Sequence, residues 1–151
     1  MTPYSLVSSV APVAQATKRE LLAMTRQLEA AALQDPPAAA GASLQDVRYL
    51  TDRTRAVYAS LARTGAPTRL HARGLQAWLA PGVAGVALDD EDPLVDEWVV
   101  VLSGHQPVVF AATNLPTPDC DEDDRCFTWA MSRDPEVVDR CAELLGLPAS
   151  D

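Results

Sequence analysis

From Thr17 onward, apolar residues recur every three or four positions. Leu21, Met24 (or Thr25), Leu28 and Ala32 therefore share one face of a helix over "ATKRELLAMTRQLEAAALQ". Ala, Leu, Glu and Gln favour that helix intrinsically. Thr17 followed by Glu20 has the form of a capping box at its start. "DPPAAAGAS", from Asp35, reads as the loop that ends it. Ser43 with Asp46 is a second capping pattern, ahead of a stripe of Val47, Leu50, Thr54, Val57 and Leu61 flanked by Tyr58. Gly65 supplies a left-handed close and Pro67 forbids continuation. Arg48, Arg53, Arg55 and Arg63 ride on this second helix.

The period then changes to two. "PTRLHAR", "GVAGVALD", "EWVVVLS", "PVVFAATNL" and "CFTWAMS" read as strands. The unbroken apolar character of "EWVVVLS" predicts burial on both faces. "GHQP" between the third and fourth suits a hairpin. "DPEVVDRCAELLG" closes the chain as a helix, with Asp134 as cap, Pro135 first and Gly146 as the stop. Successive strands with short turns predict an α+β fold. The expected form is a mostly antiparallel sheet of about five strands, with the N-terminal helices and the C-terminal helix packed on one face. The expected division is an N-terminal extension over 1–16, a single domain over 17–147 and a tail over 148–151.

Composition narrows the function. At 151 residues the chain fits one domain with a real core. A net charge of −9 disfavours wrapping a nucleic-acid backbone, so no direct nucleic-acid partner is expected. The charge is unevenly spread: residues 1–75 carry nine basic and five acidic side chains, residues 76–151 three basic and sixteen acidic. The start "MTPYSLVSSVAPVAQ" has no basic region and no long apolar run, so neither a signal peptide nor a membrane partner is expected. Three cysteines without framework spacing suit a reducing cytoplasm.

Catalytic and metal motifs are absent. There is no Gly-x-Ser-x-Gly elbow and no Gly-rich phosphate loop. His71 and His105 lack a local nucleophile partner. Cys120 and Cys126 are too widely spaced for a zinc pair, and the acidic run "DCDEDD" over 119–124 lacks the Gly and Glu of a calcium loop. That run is expected to be a solvated loop. No metal and no cofactor are assigned.

"DDEDPLVDEWVVVLSG" is the stretch that invites a catalytic reading. Pro93 restricts the chain, and period two sets Trp98, Val100 and Leu102 on one face with Glu97, Val99 and Val101 on the other. A buried Glu97 needs a partner. The Arg-rich second helix or Arg125 is the expected one, in a structural ion pair, with a ligand contact as the alternative.

Four blocks, in order, resemble the DICT domain, a bacterial sensory domain of diguanylate cyclases and two-component systems. "TKRELLAMTRQLE" resembles its N-terminal helix and "RYLTDRTRAVYASLARTGAPTRLHARG" its second helix and first strand. "DPLVDEWVVV" resembles the central block, and "DDRCFTWAMSRDPEVVDRCAELLG" the closing strand and helix. The resemblance spans residues 17–146, while "GLQAWLAPGV" departs from the short aromatic element usual after the first strand.

The resemblance implies a non-catalytic cytoplasmic sensory domain. Such domains stand beside MerR-type, GGDEF, EAL, GAF or STAS modules, and a signal, small molecule or protein, is passed to a transcriptional or second-messenger output. The expected ligand-binding residues are Tyr49, Tyr58, Trp78, Glu97, Trp98, Arg125, Phe127 and Trp129. The expected partner is a regulatory protein, or a second copy through the first helix as a dimer. The alternatives are a ligand-free protein–protein adaptor and, behind it, a hydrolase using Glu97 with Arg125 or a histidine.

Overall fold

The run "EWVVVLS" forms a strand with both faces buried, and the rest of the architecture follows from that. The computed structural model describes residues 1–116 and 120–148. Eight strands form one sheet: β1 (Ala14–Thr17), β2 (Ala39–Asp46), β3 (Thr68–Arg73), β4 (Trp78–Ala80), β5 (Val83–Ala87), β6 (Glu97–Ser103), β7 (Val108–Asn114) and β8 (Cys126–Ser132). Their order across the sheet is β1-β8-β7-β6-β2-β3-β5-β4. Two helices, α2 (Lys18–Gln34) and α3 (Asp52–Arg63), cover one face. Two more, α1 (Pro3–Val10) and α4 (Pro135–Leu144), cover the other.

The expectation of about five antiparallel strands covered on one face is therefore corrected. The fold is α+β, but the sheet is mixed: β2–β3 and β3–β5 are parallel, and the other pairs are antiparallel. Trp98, Val100 and Leu102 point to the α2–α3 side; Val99 and Val101 point to the α1–α4 side. A strand apolar on both faces needs two covering layers.

Strand β2 is the largest departure from the expected elements. Residues read as a loop and as a helix start form a fully paired central strand. Ala40 and Ala42 turn to α2 and α3, while Ser43 donates to the Leu94 carbonyl on the opposite side. Gly41 admits the C-terminal segment: a Cβ there would stand 2.8 Å from Leu147 Cδ1 and 3.2 Å from Leu145 Cδ1. Helix α3 consequently begins at Asp52, with the Thr51 hydroxyl accepting from Thr54 N. Val47 is exposed, and Tyr58, expected at the flank, is fully buried. The α2 capping box forms as expected between Thr17 and Glu20.

Residues 1–16 do not stand apart as an extension. They form α1, closed by a Thr2–Ser5 capping box, and most of β1, which pairs with β8. The apolar stripe of α2 expected to serve self-association (Leu21, Leu28, Ala32) lies in the core against its own sheet. Only Pro148 of the expected tail falls within the described residues. Among them, no helix is long and apolar enough to cross a membrane.

Glu97 explains why α1 docks. Its Oε1 accepts from Tyr4 N at 2.8 Å, so a carboxylate sits at the helix start where free N–H groups and the dipole favour an anion. No arginine pairs with it among the described residues, contrary to the expected ion pair. Burial pushes its pKa up, against the hydrogen bonds from Thr2 and Tyr4, which pull it down. An acid with a raised folded pKa binds its proton more tightly when folded. Its cost is absent below the unfolded value and grows as pH rises through the folded one.

Glu97→Gln keeps an acceptor for Tyr4 N and removes the titration. Relative to the parent, its urea midpoint should improve progressively as pH rises above the ordinary carboxylate range of about 4. Glu97→Leu should lose about 1–3 kcal/mol, because Tyr4 N–H is left without its partner. Equal pH dependence in parent and Glu97→Gln would refute this role. Gly41→Val should cost about 1–3 kcal/mol in the same measurement, by driving the Leu147 segment off the sheet.

Candidate functional site

A cleft of about 210 Å³ lies between α2 and α3 above the sheet. Strand direction places it. The end of β2 brings Leu44 and Gln45, the start of β6 brings Trp98 and Val100, and the start of β8 brings Phe127. Because β6 runs antiparallel to β2, the end of one and the start of the other meet at the same edge of the sheet.

The floor is aromatic and buried. Trp98 meets Phe127 edge-on at 5.6 Å between ring centres and Phe110 at 5.3 Å. Tyr58 on α3 is fully buried, with its hydroxyl facing the Glu29 carboxylate. Burial first, and the facing Glu29 carboxylate second, hold its pKa well above the ordinary tyrosine value. Glu29 on α2 is itself buried and accepts from Arg53 Nη1 at 3.1 Å.

Gln45 completes the floor. It is 6% exposed, and its Nε2 has no partner among the described residues. Its φ of 71° is the left-handed conformation, at a register shift in the β2–β3 pairing between Ser43 and Asp46. Side chains other than Gly adopt that conformation at a cost of about 1–2 kcal/mol.

The mouth is cationic. Lys18, Arg26, Arg48, Arg53 and Arg125 line the cleft against the single carboxylate Glu29. Three of these cations surround the Tyr49 ring: Lys18 Nζ at 4.6 Å, the Arg48 guanidinium at 4.9 Å and the Arg125 guanidinium at 5.8 Å from its centre. Arg125 also donates to the Tyr49 hydroxyl at 2.7 Å and lies 5.1 Å from the Phe127 ring centre. Arg26 and Arg48 make no ion pair among the described residues.

The acidic loop closes over this mouth. Asp119 lies outside the described residues; Glu122–Asp124 form a single 3-10 turn. The loop's described residues are exposed, as expected of a solvated loop, and ion pairs tie it down as well. Glu122 pairs with Lys18 at 3.2 Å and with Arg125, and Asp124 pairs with Arg19 at 3.4 Å. Desolvation opposes ionisation of Glu122, but hydrogen bonds from Arg125, Tyr49 and Lys18 hold its carboxyl down to about 2.

Of the residues expected at a site, Tyr49, Tyr58, Trp98, Arg125 and Phe127 meet here. Trp129 packs on Phe110 at 6.2 Å, on the same side of the sheet but outside the cleft lining. Trp78 is 68% exposed on the edge strand β4. Glu97 belongs to the opposite face, so it forms no pair with Arg125. His71 is buried against the Leu145 carbonyl, and His105 pairs with Asp35 at the surface. Lys18, Arg26, Glu29 and Gln45 were not expected at the site. Glu29 carried a faint signal, a charge beside Leu28 on an apolar stripe; the backbone of Gln45 carried none.

The sequence matches no protein-family model and no curated protein. Among solved structures the chain is similar to a polyphosphate kinase from Porphyromonas gingivalis, at 13% identity and a TM-score of 0.53 over 92% of this chain. It is similar to Nuc, a phospholipase D family member from Salmonella typhimurium, at 10% identity and a TM-score of 0.54, covering 90% of this chain and 91% of that one. It is also similar to TrmBL2, an archaeal chromatin protein with a novel mode of DNA binding, at 14% identity and a TM-score of 0.51 over 91% of this chain. The chain spans 24% of the kinase chain and 52% of the TrmBL2 chain. At such identities the likeness is one of fold alone.

Proposed function

We propose that this chain is a non-catalytic, cytoplasmic sensory domain of the DICT kind that binds a small anionic molecule in the α2–α3 cleft. One observation carries the reading: in a chain of net charge −9, five cations converge on one aromatic-floored cleft, and although Glu122 and Glu29 pair with three of them, Arg26 and Arg48 make no ion pair among the described residues. Clustering like charges costs free energy unless something offsets it. A bound anion would offset it.

Transmission requires a ligand that favours one of two states. Glu122 supplies the difference. Its carboxylate holds Lys18 and Arg125, the groups an incoming anion would take. Binding would then release the Cys120–Asp124 loop toward a regulatory partner and its output. The ligand-free adaptor remains the second reading, and exposed Trp78 on the β4 edge is the observation that favours it. The names of the fold neighbours do not carry over: the overall charge opposes nucleic-acid binding, and no nucleophile–base pair stands at the cleft among the described residues.

Native mass spectrometry of freshly purified protein should show a small bound species. Arg48→Glu, which leaves the fold intact by circular dichroism, should lose it. Glu122→Gln should retain it more tightly, by up to about fivefold, since the competing surface ion pair is worth about 0–1 kcal/mol. A bare chain whose melting temperature is raised by no anionic metabolite would overturn the reading. Sensitivity of partner capture to Trp78→Ala alone would turn it toward the adaptor.

A further inference from the structure

We infer that the ligand of this cleft is a small aromatic acid: one ring or a fused pair, with a carboxylate at the mouth and a hydrogen-bonding substituent at the floor. The inference rests on the binding role proposed above and adds the chemical class.

Size sets the first limit. The cleft offers about 210 Å³. That is below the ~300–1,000 Å³ of sites for drug-sized molecules. A tetrapyrrole or a dinucleotide does not fit inside it; a monocyclic or bicyclic acid does.

The walls set the second. Trp98, Phe127 and Tyr58 surround the interior, with Leu44 and Val100 filling between them. Flat apolar walls of this kind favour a planar ring over a flexible chain of equal volume, because edge and face contacts add to the burial itself.

Polarity changes with depth. Arg26, Arg48 and Arg53 are exposed, and Lys18 and Arg125 are half-buried, so positive charge crowds the mouth. Glu122 shows which anion suits it. A carboxylate already sits on Lys18 and Arg125, and the ligand's own carboxylate would take that place.

At the floor Gln45 Nε2 stands buried with no partner among the described residues, while the buried Tyr58 hydroxyl faces the Glu29 carboxylate. Buried polar groups are almost always paired, and an unpaired one calls for an explanation. Gln45 is, besides, held in a backbone conformation that favours glycine. A ligand hydroxyl or carbonyl at that depth would accept from the Gln45 amide. The strained backbone keeps the amide directed inward without it.

The test is a titration of the full chain, followed by tryptophan fluorescence and calorimetry, with 4-hydroxybenzoate and indole-3-acetate as probes. Benzoate, phenol, cyclohexanecarboxylate and inorganic phosphate are the comparisons. At least one aromatic acid should bind about three- to tenfold more tightly than cyclohexanecarboxylate, the margin expected from ring contacts. Phenol and phosphate should bind more weakly still.

Gln45→Asn, a variant compatible with the left-handed backbone, should weaken 4-hydroxybenzoate severalfold and leave benzoate unchanged. Cyclohexanecarboxylate or phosphate binding as tightly as both aromatic acids, with the affinity lost in Arg48→Glu, would overturn the aromatic class while leaving an anion-binding cleft. A co-purified anion without near-ultraviolet absorbance would do the same. No binding by any probe, and nothing co-purified, would overturn both.

Discussion

Small side chains along β2 govern how closely the layers of this protein approach. Ala40 and Ala42 let α2 and α3 settle on one face, and Gly41 lets Leu145 and Leu147 settle on the other. The same strand joins an antiparallel half, β6 to β1, to the parallel pairs β2–β3 and β3–β5. Larger residues there would lift both helical layers, since packed interiors tolerate added volume poorly. The cleft depends on the same strand, because β2 ends in the left-handed Gln45 between the two helices it seats.

Three glutamates, two buried and one exposed, illustrate how position sets the role of one side chain. Glu97 meets the start of α1, where backbone N–H groups stand in for a cation. Glu29 is buried in the cleft wall against Arg53. Glu122 sits at the mouth and meets two cations at once. The charge division along the chain has its structural counterpart here. Lys18 and Arg19 come from the basic half, and Glu122 and Asp124, which pair with them, come from the acidic half. Part of the asymmetry is satisfied within one molecule, while Arg26 and Arg48 make no ion pair among the described residues.

Periodicity revealed the elements that carry large residues. The face alternation of β6 was legible, as were the α2 capping box and the α4 cap at Asp134. Strand β2 was not, because Ala, Gly and Ser have low strand propensity and show no apolar alternation. Missing it shifted the expected start of α3 and hid the parallel pairs. Helix α1 was missed for another reason: its capping box uses Ser5 rather than Glu or Gln, and it is short. That omission left Glu97 without its true partner, although the direction of its side chain was correctly read. Aromatic residues drew attention to Tyr49, Tyr58, Trp98 and Phe127, but Trp78 and Trp129 show that the same chemistry serves exposure and core packing equally well.

In the proposed sensing role, the backbone limits what could move. Lys18 N donates to the Arg125 carbonyl at 2.7 Å, and β1 pairs with β8 immediately beyond. The start of α2 and the start of β8 are therefore fixed to one another by main-chain bonds that a ligand does not contest. Displacing the Glu122 carboxylate breaks only side-chain links, to Lys18 and Arg125. Exposed ion pairs of this kind contribute about 0–1 kcal/mol each, so they exchange readily, whereas the sheet edge does not open for so little. Any change a bound anion makes thus falls on the turn at Glu122–Asp124 rather than on the helices. A partner reading the signal would meet that turn, with Glu122 freed from Lys18 and Arg125.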